Sequence, residues 1–188
     1  MLAELMNVAN HSRDAVITYE WDYVAGSPDE YARLTPLWLD VSGICGSADV
    51  TVPSGQDTFT YKLEPPWRST ISGEVLLTGG HVHDGGIRTE LIKNGQVICD
   101  SVAGYGERPE FMEPADGMNM DMGAGINRSM EIAHMSSMTV CRGLGPAKVG
   151  DEWSVHAFYN LTEHRPMMGS GAPLDVMGNV MVYIAEST

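Results

Sequence analysis

Positive charge is what this sequence is shortest of. Lysine and arginine number 11 against 25 aspartate and glutamate residues, a formal net charge of −14. Neutralising phosphate groups takes clustered cations, so nucleic acid and anionic membrane are excluded as partners. Long apolar runs are missing too: none approaches the roughly 20 residues of a membrane helix, and a soluble chain is expected. Cysteine is scarce, and Cys45, Cys99 and Cys141 permit one intrachain disulfide with a thiol left over. No stretch carries a convincing amphipathic helix period, and no internal repeat is present. The opening Met1 to Met6 has neither the basic start nor the apolar core of a signal peptide. The numbered chain is therefore expected to begin at a processed or engineered end.

What the sequence does have is β-strand patterning. Ile17, Tyr19, Trp21 and Tyr23 alternate with Thr18, Glu20 and Asp22, which predicts a half-buried strand over residues 15–24. Residues 37–41 and 57–64 read the same way, the second ended by Pro65 and Pro66. Asn94-Gly95 between two alternating runs, 87–93 and 96–100, is a hairpin signal. Further strands are predicted over 130–141, over 152–160 with Trp153, Val155, Ala157 and Tyr159 in phase, and over 176–185. The last is apolar on both faces, as in a central strand. Residues 104–128 break the pattern with a Gly/Met-rich loop that holds Met118, Met120 and Met122. The expected fold is a single all-β domain over 1–188, an antiparallel sandwich or jelly roll.

The chemistry concentrates in Gly-Gly-His-Val-His-Asp-Gly-Gly, residues 79–86. Residues two apart on a strand share a face, so His81 and His83 are expected beside Ile71, Val75 and Leu77, on the inward side. Two imidazoles so placed can share a metal ion, and the glycines suit a close approach by a ligand or a backbone. The bland alternative is a hydrated strand end with two chance histidines. His156 falls opposite Trp153 and reads as exposed; His134 and His164 remain as further candidates. A cupin would want a glutamate three or four residues past the second histidine, and the next is Glu90. A blue-copper site needs a cysteine in a late Cys/His/Met cluster, and none lies there. Two imidazoles with a methionine sulfur favour copper, Cu(I) above all, because the thioether is a soft ligand.

Through that motif and Val176-Met-Gly-Asn-Val-Met-Val-Tyr-Ile184, the chain resembles the copper type II, ascorbate-dependent monooxygenases. Val97-Ile-Cys-Asp100 and Ser136-Ser-Met-Thr-Val-Cys141 bring it closer to the stress-up-regulated nodulin-like proteins. The resemblance implies a jelly-roll module that carries the oxygen-binding copper, with ligands His81, His83 and Met177. His164 is a fourth candidate ligand, and Asp84 a residue that orients the ligands. The family's electron-donating copper uses an adjacent His-His pair, which this chain lacks. The resemblance therefore implies an upstream His-His copper module or a separate chain as partner. The family also places an arginine two positions before the first copper histidine for a substrate carboxylate; here that position is Gly79.

Three Asn-x-Ser/Thr sequons, at Asn10, Asn127 and Asn160, favour a secreted glycoprotein. Cys99 and Cys141 flank the Met-rich loop at strand ends, so a bond between them would close it, worth roughly 3–4 kcal/mol in the chain-entropy view. Cys45 would then be left single or pair outside the chain. The expected function is a mononuclear copper domain, the oxygen-activating half of a monooxygenase. Copper binding without turnover, or a structural β-sandwich, are the other readings.

Overall fold

The computed structural model describes residues 12, 14–26, 29, 31–44, 47–114, 131–169 and 171–187. Asn10, Asn127, Cys45 and the Met118–Met122 run lie outside these. The chain divides into two units, Met1–Tyr31 and Ala32–Thr188, each taken by itself. In the first, the strand expected over 15–24 does not form: its residues join no ladder, and Trp21 and Tyr23 are 75% and 87% exposed. Alternation supplies an apolar face, but an extended segment holds only when its backbone pairs and that face is covered.

The second unit is built of strands. In chain order they are β1 (Leu34–Asp40), β2 (Asp49–Val50), β3 (Thr58–Lys62), β4 (Trp67–Arg68), β5 (Gly73–Val82), β6 (Gly86–Lys93) and β7 (Gln96–Tyr105). Then follow β8 (Met112–Pro114), β9 (Glu131–Ala133), β10 (Met135–Met138), β11 (Val140–Arg142), β12 (Pro146–Ala147), β13 (Glu152–Asn160) and β14 (Val176–Glu186). One sheet runs β1-β14-β5-β11, with β2 also on β14 and β12 on β5. The other runs β10-β7-β6-β13-β3, with β4 on β13, while β8 and β9 form a ribbon of their own. Neighbours pair antiparallel throughout these ladders. The fold is an all-β antiparallel sandwich, as the patterning predicts.

The core lies between the sheets. Trp153, Val155, Ala157 and Tyr159 on β13 are fully buried and face Val180, Val182 and Ile184 of β14. As expected for a central strand, β14 sits between β1 and β5. The β6–β7 hairpin turns at Asn94 and Gly95, both at positive φ (51° and 78°), the geometry for which Asn-Gly is suited. His156 lies opposite Trp153 but is half-buried rather than exposed, close to Phe158 and Glu90.

The strand predicted over 130–141 is three short ones, because the chain changes sheets within it. β10 pairs with β7 in one sheet and β11 with β5 in the other. Thr139, at the crossing, accepts the Val102 amide on its hydroxyl at 2.8 Å and the Ser101 hydroxyl on its carbonyl at 2.5 Å. The predicted disulfide is present: Cys99 of β7 joins Cys141 of β11, with Cα atoms 5.9 Å apart. It ties one sheet to the other where the chain passes between them. Within the 104–128 stretch expected as a Gly/Met-rich loop, β7 runs to Tyr105 and Met112–Pro114 form β8, paired with β9.

Candidate metal centre at the end of one sheet

The alternation on β5 does not run unbroken. Its pairing with β14 goes from Val75–Ile184 to Leu77–Tyr183, so Leu76 is an extra residue, a β-bulge. Before it Gly73 and Val75 are buried; after it the buried positions are Thr78 and Val82. The phase has moved by one. His81 and His83 therefore lie on the outward face of the sheet, not the inward face that strict alternation predicts, and both are half-buried.

The outward face still assembles the predicted group. His81 pairs with Asn179, and Val82 pairs with Gly178. The His83 amide then donates to the Met177 carbonyl at 3.2 Å, so His83 and Met177 lie side by side at the sheet's end. Directly paired residues share a face, and on β14 that face carries Met177, Asn179 and Met181, because Val176, Val180 and Val182 point inward. The two imidazoles stand edge to face with centroids 5.4 Å apart.

Three features make this arrangement suited to a metal. His83 Nδ1 is 3.3 Å from the Asp175 carbonyl oxygen. A carbonyl only accepts, so the proton sits on Nδ1 and Nε2 is the nitrogen able to bind a metal. Asn179, 3% exposed, has an amide nitrogen with no hydrogen-bond partner among the described residues, on the row of His81. Such a group is expected to face a ligand rather than stay unsatisfied. Among the described residues, no cluster of three or more His, Cys, Asp or Glu side chains is placed to hold a metal. Among the described residues a third donor at His81 and His83 is then of another kind, and Met177, on the same face, carries a thioether that can supply it.

The inner side explains the rest of the motif. A Cβ on Gly80 would lie 1.9 Å from the Thr89 hydroxyl, and one on Gly178 would lie 2.3 Å from the Ala157 Cβ. Both glycines are needed for the sheets to close up beneath the site. The buried Tyr159 donates its hydroxyl to the same Met177 carbonyl at 2.8 Å, fixing the Met177 backbone from within.

Beyond His83 the chain turns at Asp84–Gly86. The Gly85 amide donates to the Tyr105 hydroxyl at 3.1 Å, and that hydroxyl donates to the Gly86 carbonyl at 2.7 Å. Asp84, expected to orient the imidazoles, is 6% exposed and is hydrogen-bonded to the strand that follows β9. Its carboxylate takes His134 Nδ1 at 2.5 Å and the Met135 amide at 2.7 Å. His134 Nε2 reaches Glu113 at 3.1 Å. Burial lowers the His134 pKa, but the hydrogen bonds and charges of Asp84 and Glu113 outweigh it and leave the group raised. His164, the fourth candidate ligand, stacks face to face on Tyr105 at 3.5 Å between centroids. Asn160, the sequon asparagine among the described residues, accepts the Thr162 hydroxyl at 2.7 Å. Sequence reading did not assign His134 a partner or foresee the Tyr159–Met177 bond, since both join residues distant in the chain.

No protein-family profile matches the chain, and no solved structure does. Over 186 residues, 98% of its length, it is 34% identical to the "Probable copper-dependent oxygenase M1" of Phoma sp., covering 43% of that protein. It is similarly 33% identical over 186 residues to the "Probable copper-dependent oxygenase clz3" of Cochliobolus lunatus, covering 53% of it. The chain spans about half the length of the curated relatives it matches.

Proposed function

We propose that this domain binds one copper ion through His81, His83 and Met177 and serves as the oxygen-activating part of a copper-dependent oxygenase. The observation that carries the reading is the convergence of these three residues on one outward face of two adjacent strands. Two imidazole nitrogens and a thioether are a soft, copper-selecting donor set. The relatives, both named as copper-dependent oxygenases, support the same metal. Copper held there would supply the redox chemistry that makes dioxygen an oxidant of C–H bonds. The chain's own part is to keep Nδ1 of His83 protonated, to hold Met177 through Tyr159, and to leave the face open to solvent. The half-length match supports an electron-donating module elsewhere on the same polypeptide or on a separate chain. The disulfide supports an oxidising, extracellular setting.

Metal content after loading with copper, followed by EPR of the oxidised form, tests the reading. A His81→Ala, His83→Ala variant is expected to lose copper and stay folded, because the core is built on the opposite face. Met177→His is expected to shift preference from Cu(I) toward Cu(II). Copper retained by the double variant refutes the site.

A further inference from the structure

A carboxylate without a partner ends the row that holds two of the candidate ligands. Beyond the end of β1, β2 pairs with β14, Val50 against Val176 and Asp49 against Met177. Val176 is 1% exposed and Val50 packs on the same core, so Asp49 and Met177 share the outward face. On the other side of β14 the Met177 carbonyl takes the His83 amide. Asp49, Met177 and His83 thus form one row, with the thioether in the middle. Asp49 is exposed, and its carboxylate has no hydrogen-bond or ion-pair partner among the described residues. The neighbouring aspartates are engaged elsewhere. Asp40, opposite Asn179, accepts the Ser42 amide at 2.9 Å and the Ser42 hydroxyl. Asp175 turns its backbone carbonyl to His83, while burial and then its charge push the Tyr61 hydroxyl up.

We propose that Asp49 is a positioning residue of the metal centre that acts by charge alone: it favours the doubly charged copper ion where Met177 favours the singly charged one. The inference rests on the copper reading above and names what sets the oxidation-state preference of that same site. Two imidazoles and a thioether are neutral donors, so a bound ion keeps its whole charge, and the sulfur draws it toward Cu(I). A carboxylate outside the ligand set pulls the other way. Among the described residues no three His, Cys, Asp or Glu side chains are grouped to hold a metal, which leaves Asp49 outside that set beside His81 and His83. Strands lie about 4.8 Å apart, so a charge held between Met177 and His83 is roughly 7 Å from Asp49. In water that separation is worth about threefold in affinity per unit of charge, hence about threefold for Cu(I) and about tenfold for Cu(II). The thioether and the carboxylate oppose each other, and the site can hold both ions.

The test is competition for copper, with bicinchoninate for Cu(I) and nitrilotriacetate for Cu(II), on the wild type, Asp49→Asn and Asp49→Glu. Asp49→Asn is expected to weaken Cu(I) about threefold and Cu(II) about tenfold, and Asp49→Glu to restore both. The EPR spectrum of the Cu(II) form and the melting temperature of the metal-free protein should not change, since no ligand and no core contact is lost. Salt supplies a readout that a structural role would not move. Raising it from about 0.01 M to about 1 M shortens the screening length from about 30 Å to about 3 Å, and the difference between wild type and Asp49→Asn should vanish. Unchanged affinities would make Asp49 a solvated surface group. Equal losses for the two ions, or a loss indifferent to salt, would make its role structural, and an altered EPR spectrum would make it a ligand. Each of these overturns the proposal and leaves the copper reading standing. A wild-type protein that takes up neither ion overturns both.

Discussion

Replacing His134 with glutamine should flatten the domain's stability against pH, and the structure gives the sign. His134 lies between Asp84 and Glu113, and their hydrogen bonds and charges leave its pKa raised despite burial. A cationic group with a raised folded-state pKa contributes stability in full below its unfolded value, about 6.5 for histidine. That contribution is lost as pH climbs through the raised value. The ring is 30% exposed, so each ion pair is worth only about 0.2–1 kcal/mol, and the two together about 1 kcal/mol. The substitution has a second, pH-independent cost. Asp84 is nearly buried and would keep the Met135 amide alone, at about 1–3 kcal/mol. Urea unfolding of both proteins at pH 6 and pH 8.5 measures this through the midpoint at constant slope. The wild type should lose about 1 kcal/mol more than the variant between the two values, since all other titrating groups are shared. Parallel pH profiles would refute the bridging role of His134.

Two further outcomes follow from the packing. Gly178→Ala would place a Cβ 2.3 Å from that of Ala157 and 3.1 Å from the Tyr159 hydroxyl, both on a buried strand, and should cost about 1–3 kcal/mol by overpacking; an unchanged melting temperature would show that the sheets can part there. Cys99→Ser with Cys141→Ser opens a link spanning 42 residues and should cost about 3–4 kcal/mol in the chain-entropy view, read as a lower urea midpoint.

The strands were legible wherever they pair in the core. Trp153 to Tyr159 alternates cleanly because β13 has a packed sheet on one side only, and Asn94-Gly95 marks its own turn. Alternation misleads where the decisive fact lies elsewhere in the chain. Residues 15–24 have as good a pattern as β3, but β3 has β13 to pair with. The run 130–141 reads as one strand because neither sheet change nor crossing leaves a mark on composition. Thr139 does that work with its own hydroxyl and carbonyl.

The candidate site shows how a local spacing can be legible while its direction is not. His81 and His83 were legible as a pair because the His-x-His spacing is local, while Met177, distant in the chain, entered through the family resemblance. Their face was not, because a single extra residue at Leu76 inverts the phase of everything after it. The inversion is what makes the arrangement serviceable. In the inward phase, His81 and His83 would have to share the core with Trp153 and Tyr159, closed to any substrate and costly to bury without partners. In the outward phase, Thr78, Gly80 and Val82 fill the core instead, and Tyr159 reaches Met177 from beneath through the backbone alone. The bulge thus lets one strand supply the sandwich with its packing face and solvent with its imidazoles. The paired glycines serve each side in turn: Gly80 inward, where Thr89 leaves no space, and Gly79 outward, beside Met181.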